Sequence, residues 1–256
     1  MSAIRMRQIC LVARQLAPVV DQLGAVLGLE VCHRDPEVGK YGLENALFPV
    51  GDGFLEVVAP VREGTTAGRY LERRGGDGGY MVITQCDEID SRRKRCEAVG
   101  VRIANEIGYP EYHELQLHPR DVGAAMLSFS WQQGARSPGG PWHPAAFDGG
   151  AAPRSHTTLG MVAAELQSDD PDRLARRWSD VIERPVVARG IALDDATLRF
   201  APDTDGRGEG LGGLDLACAD PARVLVAAQS RGVPTRAGAV LICGIRFRPV
   251  SASPTR

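Results

Sequence analysis

Glu56 is the residue whose surroundings most invite chemistry. It stands in the run Gly53-Phe-Leu-Glu-Val-Val-Ala-Pro60, beside Leu55, Val57 and Val58. A carboxylate drawn into apolar surroundings resists ionisation, and its pKa rises toward that of a general base working near neutral pH. Pairing with backbone donors or an arginine is the purely structural alternative. Asp52-Gly53 is the signature of a tight two-residue hairpin turn between strands at 43–50 and 54–59. With that turn Glu56 pairs across from Pro49, and Leu47 and Asn45 follow on the same face. Asn45 and Glu56 then line one pocket wall. His33, His113 and His118 lie on or beside expected strands, where a neutral imidazole can serve as a metal ligand. His113 and His118 are five positions apart, so one continuous strand turns them to opposite sides. His118, next to Pro119, also suits a turn or cap.

The elements that must hold these residues come as copies of one unit. The first copy reads as a strand at 4–13, a helix at 19–27 ended by Gly28, and strands at 29–33, 43–50 and 54–59. The second repeats the order: a strand at 80–84, a helix at 90–99 ended by Gly100, a strand at 101–106, and a hairpin of 113–117 with 124–131. Weaker copies occupy about 156–202 and 210–250. Between the halves, 132–153 is rich in Gly, Pro and Ala and carries Trp142 and His143, which marks a linker or a lid. The organisation expected is paired modules over 1–131, that segment, and two degenerate modules over 154–256.

Composition narrows the function. The 256 residues are 43% hydrophobic with a net charge of -2. That suits a sizeable core and lacks the clustered positive charge of a nucleic-acid footprint. Arg92-Arg-Lys-Arg95 is basic but reads as a solvated helix face among Asp90 and Glu97. No apolar run approaches the ~18 residues of a membrane span, and no signal-peptide core opens the chain. Six scattered cysteines without a C-x-x-C pair fit a reducing, cytoplasmic setting.

A repeated βαβββ unit with a tight hairpin resembles the vicinal oxygen chelate superfamily, which includes glyoxalase-like, epimerase-like, bleomycin-resistance-like and extradiol dioxygenase proteins. Phe48-Pro-Val-Gly-Asp-Gly-Phe-Leu-Glu-Val-Val-Ala-Pro60 resembles that family's hairpin ending in a metal-site Glu. His118-Pro-Arg-Asp-Val-Gly123 resembles the epimerase-type His-Pro-Lys-Asp-x-Gly hairpin, and Gln8-Ile-Cys-Leu-Val-Ala13 resembles the first strand. The resemblance implies an α+β fold whose βαβββ modules pair into curved half-barrel sheets around a cleft. It also implies a divalent metal, held by the first and last strand of each module.

Carried over position by position, the resemblance puts Gln8 and Tyr80 where His is usual, and Glu56 and Ser128 at the last-strand positions. Ala163, Arg199 and Gly213 stand there in the later modules. Such metals want three or four His and carboxylate ligands, and this set offers one strong ligand, Glu56. The expectation is a protein without the usual metal or any cofactor. The alternative is a divalent metal at a non-standard site that includes Glu56 and one or two of the histidines. The function expected is proton transfer, of lyase or isomerase type, on a small oxygenated organic molecule. Glu56 is then the catalytic residue, and Gln8, Asn45, Tyr80, His113, His118 and Ser128 bind the substrate. A non-catalytic sequestering protein of the bleomycin-resistance type is the alternative. An extradiol-type dioxygenase is a third reading, but the superposed positions lack its histidines. The partners expected are a small-molecule ligand, no nucleic acid and no membrane, in a monomer or homodimer.

Overall fold

A computed structural model describes residues 3–150 and 154–252. The first module holds β1 (Ile4–Val12), α1 (Leu16–Leu27), β2 (Leu43–Val50) and β3 (Gly53–Pro60). After α2 (Thr66–Arg74), the second holds β4 (Gly78–Cys86), α3 (Ile89–Ala98), β5 (Ile103–Tyr109), β6 (Tyr112–Leu117), α4 (Pro119–Val122) and β7 (Met126–Gln132). The third holds β8 (Thr158–Ser168), α5 (Pro171–Ile182), β9 (Val186–Val187), β10 (Gly190–Ala192) and β11 (Thr197–Pro202). The fourth holds β12 (Gly210–Cys218), α6 (Pro221–Ser230), β13 (Thr235–Arg236), β14 (Ala239–Ile242) and β15 (Ile245–Ser251).

Each module closes in the same way: its first strand runs parallel to its last, β1 to β3, β4 to β7, β8 to β11 and β12 to β15. First strands then pair antiparallel, β1 with β4 and β8 with β12. Two curved sheets result, joined where Leu211 pairs with Gly79. Their helices lie between them. Period-two alternation sends Ile9, Leu11, Leu55, Val57, Leu115 and Leu117 to the helix side, into one large core with the apolar stripes of α1, α5 and α6. The opposite face of the first sheet carries a smaller cluster that includes Cys10, Phe54, Val58, Met81, Ile83 and Tyr112.

Local chemistry explains the helix starts in the later modules. Asp170 and Asp220 accept backbone N–H groups of the first turn, each followed by a proline at the first helical position. Gly28 ends α1 at φ 65°, where a β-carbon would also meet the Thr157 hydroxyl at 2.8 Å.

Three expectations need correction. Arg92 does not lie on a solvated helix face: it is 2% exposed, and its Nη1 donates to the Ile182 carbonyl at 2.9 Å. Residues 29–33 do not form a strand; only an isolated bridge joins His33 to Leu47, because the chain turns away through Asp35-Pro36 into a 3-10 turn. The first hairpin turns on Gly51-Asp52, with Val50 paired to Gly53 and Leu47, not Pro49, opposite Glu56. Gly51 takes the positive φ (62°) of the turn's first residue, and a β-carbon there would meet the Leu159 carbonyl at 2.6 Å. The slip is two residues, so it leaves every side chain on its expected face.

Residues 132–150 wrap onto the first sheet through a short 3-10 turn at His143–Ala145 and a bridge between Trp142 and Phe147. Trp142 is fully buried there. Residues 151–153, the end of the expected linker, lie outside the described residues. Among the described residues, no helix is long and apolar enough to cross a membrane.

Candidate functional site

The concave face of the first sheet encloses a cavity of about 880 Å³. Glu56 stands on one arm, in β3, with Gln8 and Cys10 beside it on β1. On the other arm β6 contributes Tyr112, Glu114 and Gln116, while Leu115 and Leu117 point to the core. Tyr109 and His143 complete an aromatic wall: the His143 ring lies 4.4 Å from Tyr109 and 5.2 Å from Tyr112, centroid to centroid.

Both oxygens of Glu56 are occupied. Gln8 Nε2 donates to Oε2 at 2.9 Å and Asn45 Nδ2 donates to Oε1 at 2.8 Å. Asn45 is itself held, since its Oδ1 accepts the Asp35 backbone N–H at 2.8 Å. Gln8 Oε1 accepts the Trp142 indole N–H at 2.7 Å. Burial raises the Glu56 pKa, while hydrogen bonds from Asn45, Cys10 and Gln8 oppose the rise.

Glu114 is the second carboxyl group of the cavity, and sequence reasoning passed it over for its neighbour His113. The Tyr112 hydroxyl donates to Glu114 Oε2 at 3.0 Å and lies 3.2 Å from Ser130 Oγ. Glu114 Oε1 has no hydrogen-bond partner among the described residues, although Glu114 is only 3% exposed. Burial raises its pKa, the Tyr112 hydrogen bond and the nearby Ser128 and Gln116 side chains oppose the rise, and the charge of Glu56 adds to it. Alternation in Tyr112-His-Glu-Leu-Gln-Leu117 was the available signal, since Leu115 and Leu117 fix the core face and leave Glu114 on the other.

The expected site residues divide into three groups. Gln8, Glu56, Tyr80 and His118 line the cavity. Asn45 and Ser128 are buried but are not on its wall. Asn45 backs Glu56, and Ser128 sits on β7 opposite Gln116, its buried hydroxyl without a hydrogen-bond partner among the described residues. His113 faces away from the cavity and packs edge-on against Trp131. His118 is at the rim and caps α4, its Nδ1 accepting the Arg120 N–H at 3.2 Å.

Strand register also corrects one superposed position. Glu56 stands beside Cys10, two residues beyond Gln8. Ser128 stands beside Ile83, so the residue matching Gln8 is Met81, not Tyr80. Tyr80 occupies a bulge, because Cys10 pairs with Met81 and Leu11 with Gly79. It packs against Tyr70 at 5.1 Å, and burial pushes its phenol up to about 12.

The ligand positions are therefore Gln8, Glu56, Met81 and Ser128, and they do not fit the superfamily's metal. Gln8 spends its oxygen on the Trp142 indole, both Glu56 oxygens take amide donors, and Met81 offers only a soft thioether. Among the described residues, no three His, Cys, Asp or Glu side chains gather to hold a metal ion.

The same register in the second sheet gives Ala163 with Arg199, and Gly213 with Arg248. There the concave face is filled by ion pairs. Arg248 meets Asp215 at 2.6 Å, Arg246 meets Glu165 at 2.9 Å, and Arg199 bridges both carboxylates.

No curated protein sequence matches the chain. Among solved structures, it is similar to a triple mutant of 4-hydroxymandelate synthase from Streptomyces coelicolor, with a TM-score of 0.65 and 17% identity over 91% of this chain and 76% of that one. It is also similar to a methylmalonyl-CoA epimerase in complex with methylmalonyl-CoA, with a TM-score of 0.47 and 22% identity over 54% of this chain and 100% of that one. For the epimerase from Mycobacterium tuberculosis the values are 0.43 and 18%, over 49% and 86%. The first of these likenesses shows the vicinal oxygen chelate fold and nothing about chemistry. A family model described as a glyoxalase-like domain matches residues 9–182, more than half of the chain, and the protein therefore belongs to the glyoxalase-like domain family.

Proposed function

We propose that the protein is an enzyme of proton transfer, of lyase or isomerase type, that acts on a small oxygenated organic molecule in the first cavity. One observation carries this reading: two buried carboxyl groups, Glu56 and Glu114, stand on opposite arms of one cavity with unequal hydrogen bonding. Glu56 receives an amide N–H on each oxygen, which favours its anion. Glu114 keeps one oxygen without a partner, so it is the better host for a proton. Environments that separate two carboxyl groups in this way divide the roles of base and acid.

The step follows from that division. Glu56 removes a proton from a carbon next to a carbonyl, and the C–H electron pair moves into a new C=C bond. Glu114 gives its proton to the carbonyl oxygen. The result is an enol between a protonated Glu56 and an ionised Glu114, with the total charge unchanged. Return of a proton to carbon, from the same side or the other, completes an exchange or an isomerisation. A positioned acid or base contributes about 10²- to 10⁴-fold each. The cavity volume suits a ligand of drug-like size, and its wall is largely aromatic and apolar.

The test is carbon-bound hydrogen exchange. Small ketones, 2-methyl acids and thioesters are incubated with the protein in D₂O, and deuterium incorporation is followed by NMR. Exchange that is lost in both Glu56→Gln and Glu114→Gln supports the reading. Compounds that bind in the cavity without exchange in the wild type point to a sequestering protein instead.

A further inference from the structure

Trp142 lies 134 residues from Gln8 in sequence, yet it is fully buried against the floor of the first sheet. It is clamped there. The Arg7 guanidinium sits 5.4 Å from its ring and 5.6 Å from the Phe54 ring, and it donates to the carbonyls of Asp52 and Gly140. Burial lowers the Arg7 pKa to about 10, which leaves it charged at neutral pH. On the other side the Tyr112 ring meets Trp142 edge-on at 5.7 Å.

The indole N–H can only donate, whereas a glutamine amide can present either its oxygen or its NH₂ to a neighbour. Gln8 stands between that donor and Glu56. With its oxygen on the indole at 2.7 Å, its NH₂ must face the carboxylate, at 2.9 Å. A flipped Gln8 would set NH₂ against N–H on one side and oxygen against oxygen on the other. The flip would suit only a protonated Glu56, which could then donate to the Gln8 oxygen.

We propose that Trp142 is a positioning residue for Glu56: by fixing the orientation of the Gln8 amide, it keeps the carboxylate in its proton-accepting form. This rests on the reading of Glu56 as the base. The segment joining the two halves is thereby part of the site, because it sets which state of Glu56 the cavity supports.

The test reads Glu56 directly and needs no substrate. Protein labelled with ¹³C at the glutamate carboxyl carbon is titrated by NMR, with Glu56 assigned by its loss in Glu56→Gln. Trp142→Phe keeps the ring and removes the N–H, and the Glu56 titration should move to higher pH. Gln8→Met should move it the same way, and the double variant should move it no further than Gln8→Met alone. An unmoved titration in Trp142→Phe overturns the proposal, and so does an equal shift in the Gln8→Met background, since the indole would then act by another route. Should Trp142→Phe not fold, the indole N–H answers in the other two proteins. It should be protected from hydrogen exchange in the wild type and released in Gln8→Met, and free exchange in the wild type overturns the proposal. Loss of the relay with exchange activity intact faults this proposal alone. An intact relay without Glu56-dependent exchange faults the enzymatic reading alone.

Discussion

Asn45 stands diagonally across the first hairpin from Glu56, and its Nδ2 reaches Glu56 Oε1 at 2.8 Å. Asn45 pairs directly with Val58, and Glu56 with Leu47, so the contact runs between neighbours on the same face. Asn45 also accepts the Asp35 N–H, which ties the carboxylate to the loop at the cavity mouth. The arrangement is satisfied at each buried polar atom it involves, as a low-dielectric site requires.

Asn45→Leu should therefore cost about 1–3 kcal/mol of stability, because it leaves one Glu56 oxygen and the Asp35 N–H unpaired. Urea midpoints measure it. The loss should shrink in the Glu56→Leu background, where the buried charge is gone, and strict additivity of the two changes would count against the contact. Any exchange activity of Asn45→Leu should lose its acidic limb at higher pH than the wild type, because Glu56 has lost a bond to its anion.

Glu114 couples the stability of the fold to pH. Burial raises its folded pKa above the unfolded value of about 4. Below that value both states are protonated and the group contributes in full. As pH rises the unfolded chain releases its proton first, so stability falls until the raised folded pKa is passed. Glu114→Gln lacks this loss. Its urea midpoint should match or trail the wild type at acid pH and gain on it toward neutral pH. A constant difference across the range would show that Glu114 titrates in the ordinary way.

Strand register fixes where a metal site can be rebuilt. Gln8→His combined with Met81→His should join Glu56 as three ligands on one face and bind Co²⁺ with a visible d–d spectrum, whereas Gln8→His with Tyr80→His should not. The wild type should purify without stoichiometric Fe, Zn, Mn or Ni, as elemental analysis would report. Equal Co²⁺ spectra from the two double variants would refute the assignment of Met81.

Much of this was legible in the chain because it is local. Alternation of apolar residues marks the cleft and core faces of β1, β3 and β6, and it survives a two-residue error in the hairpin turn, since side chains alternate with period two. The modules, their helix ends at Gly28 and Gly100, and the burial of Glu56 follow from such signals. Residues 29–33 misled because an apolar run says nothing about whether a neighbouring strand is there to pair with it.

By itself, then, the sequence determined the unit of the fold, the paired arrangement its family resemblance implied, and one buried carboxylate with an amide across the hairpin. Tertiary structure decided the rest. It brought Glu114 to face Glu56, because only sheet curvature sets which two strands oppose each other across a cavity. It put Met81 in the place of Tyr80 through a bulge that no local pattern announces. It carried Trp142 from a Gly- and Pro-rich segment onto Gln8, a contact whose partners lie 134 residues apart and whose meaning depends on which way an amide is turned.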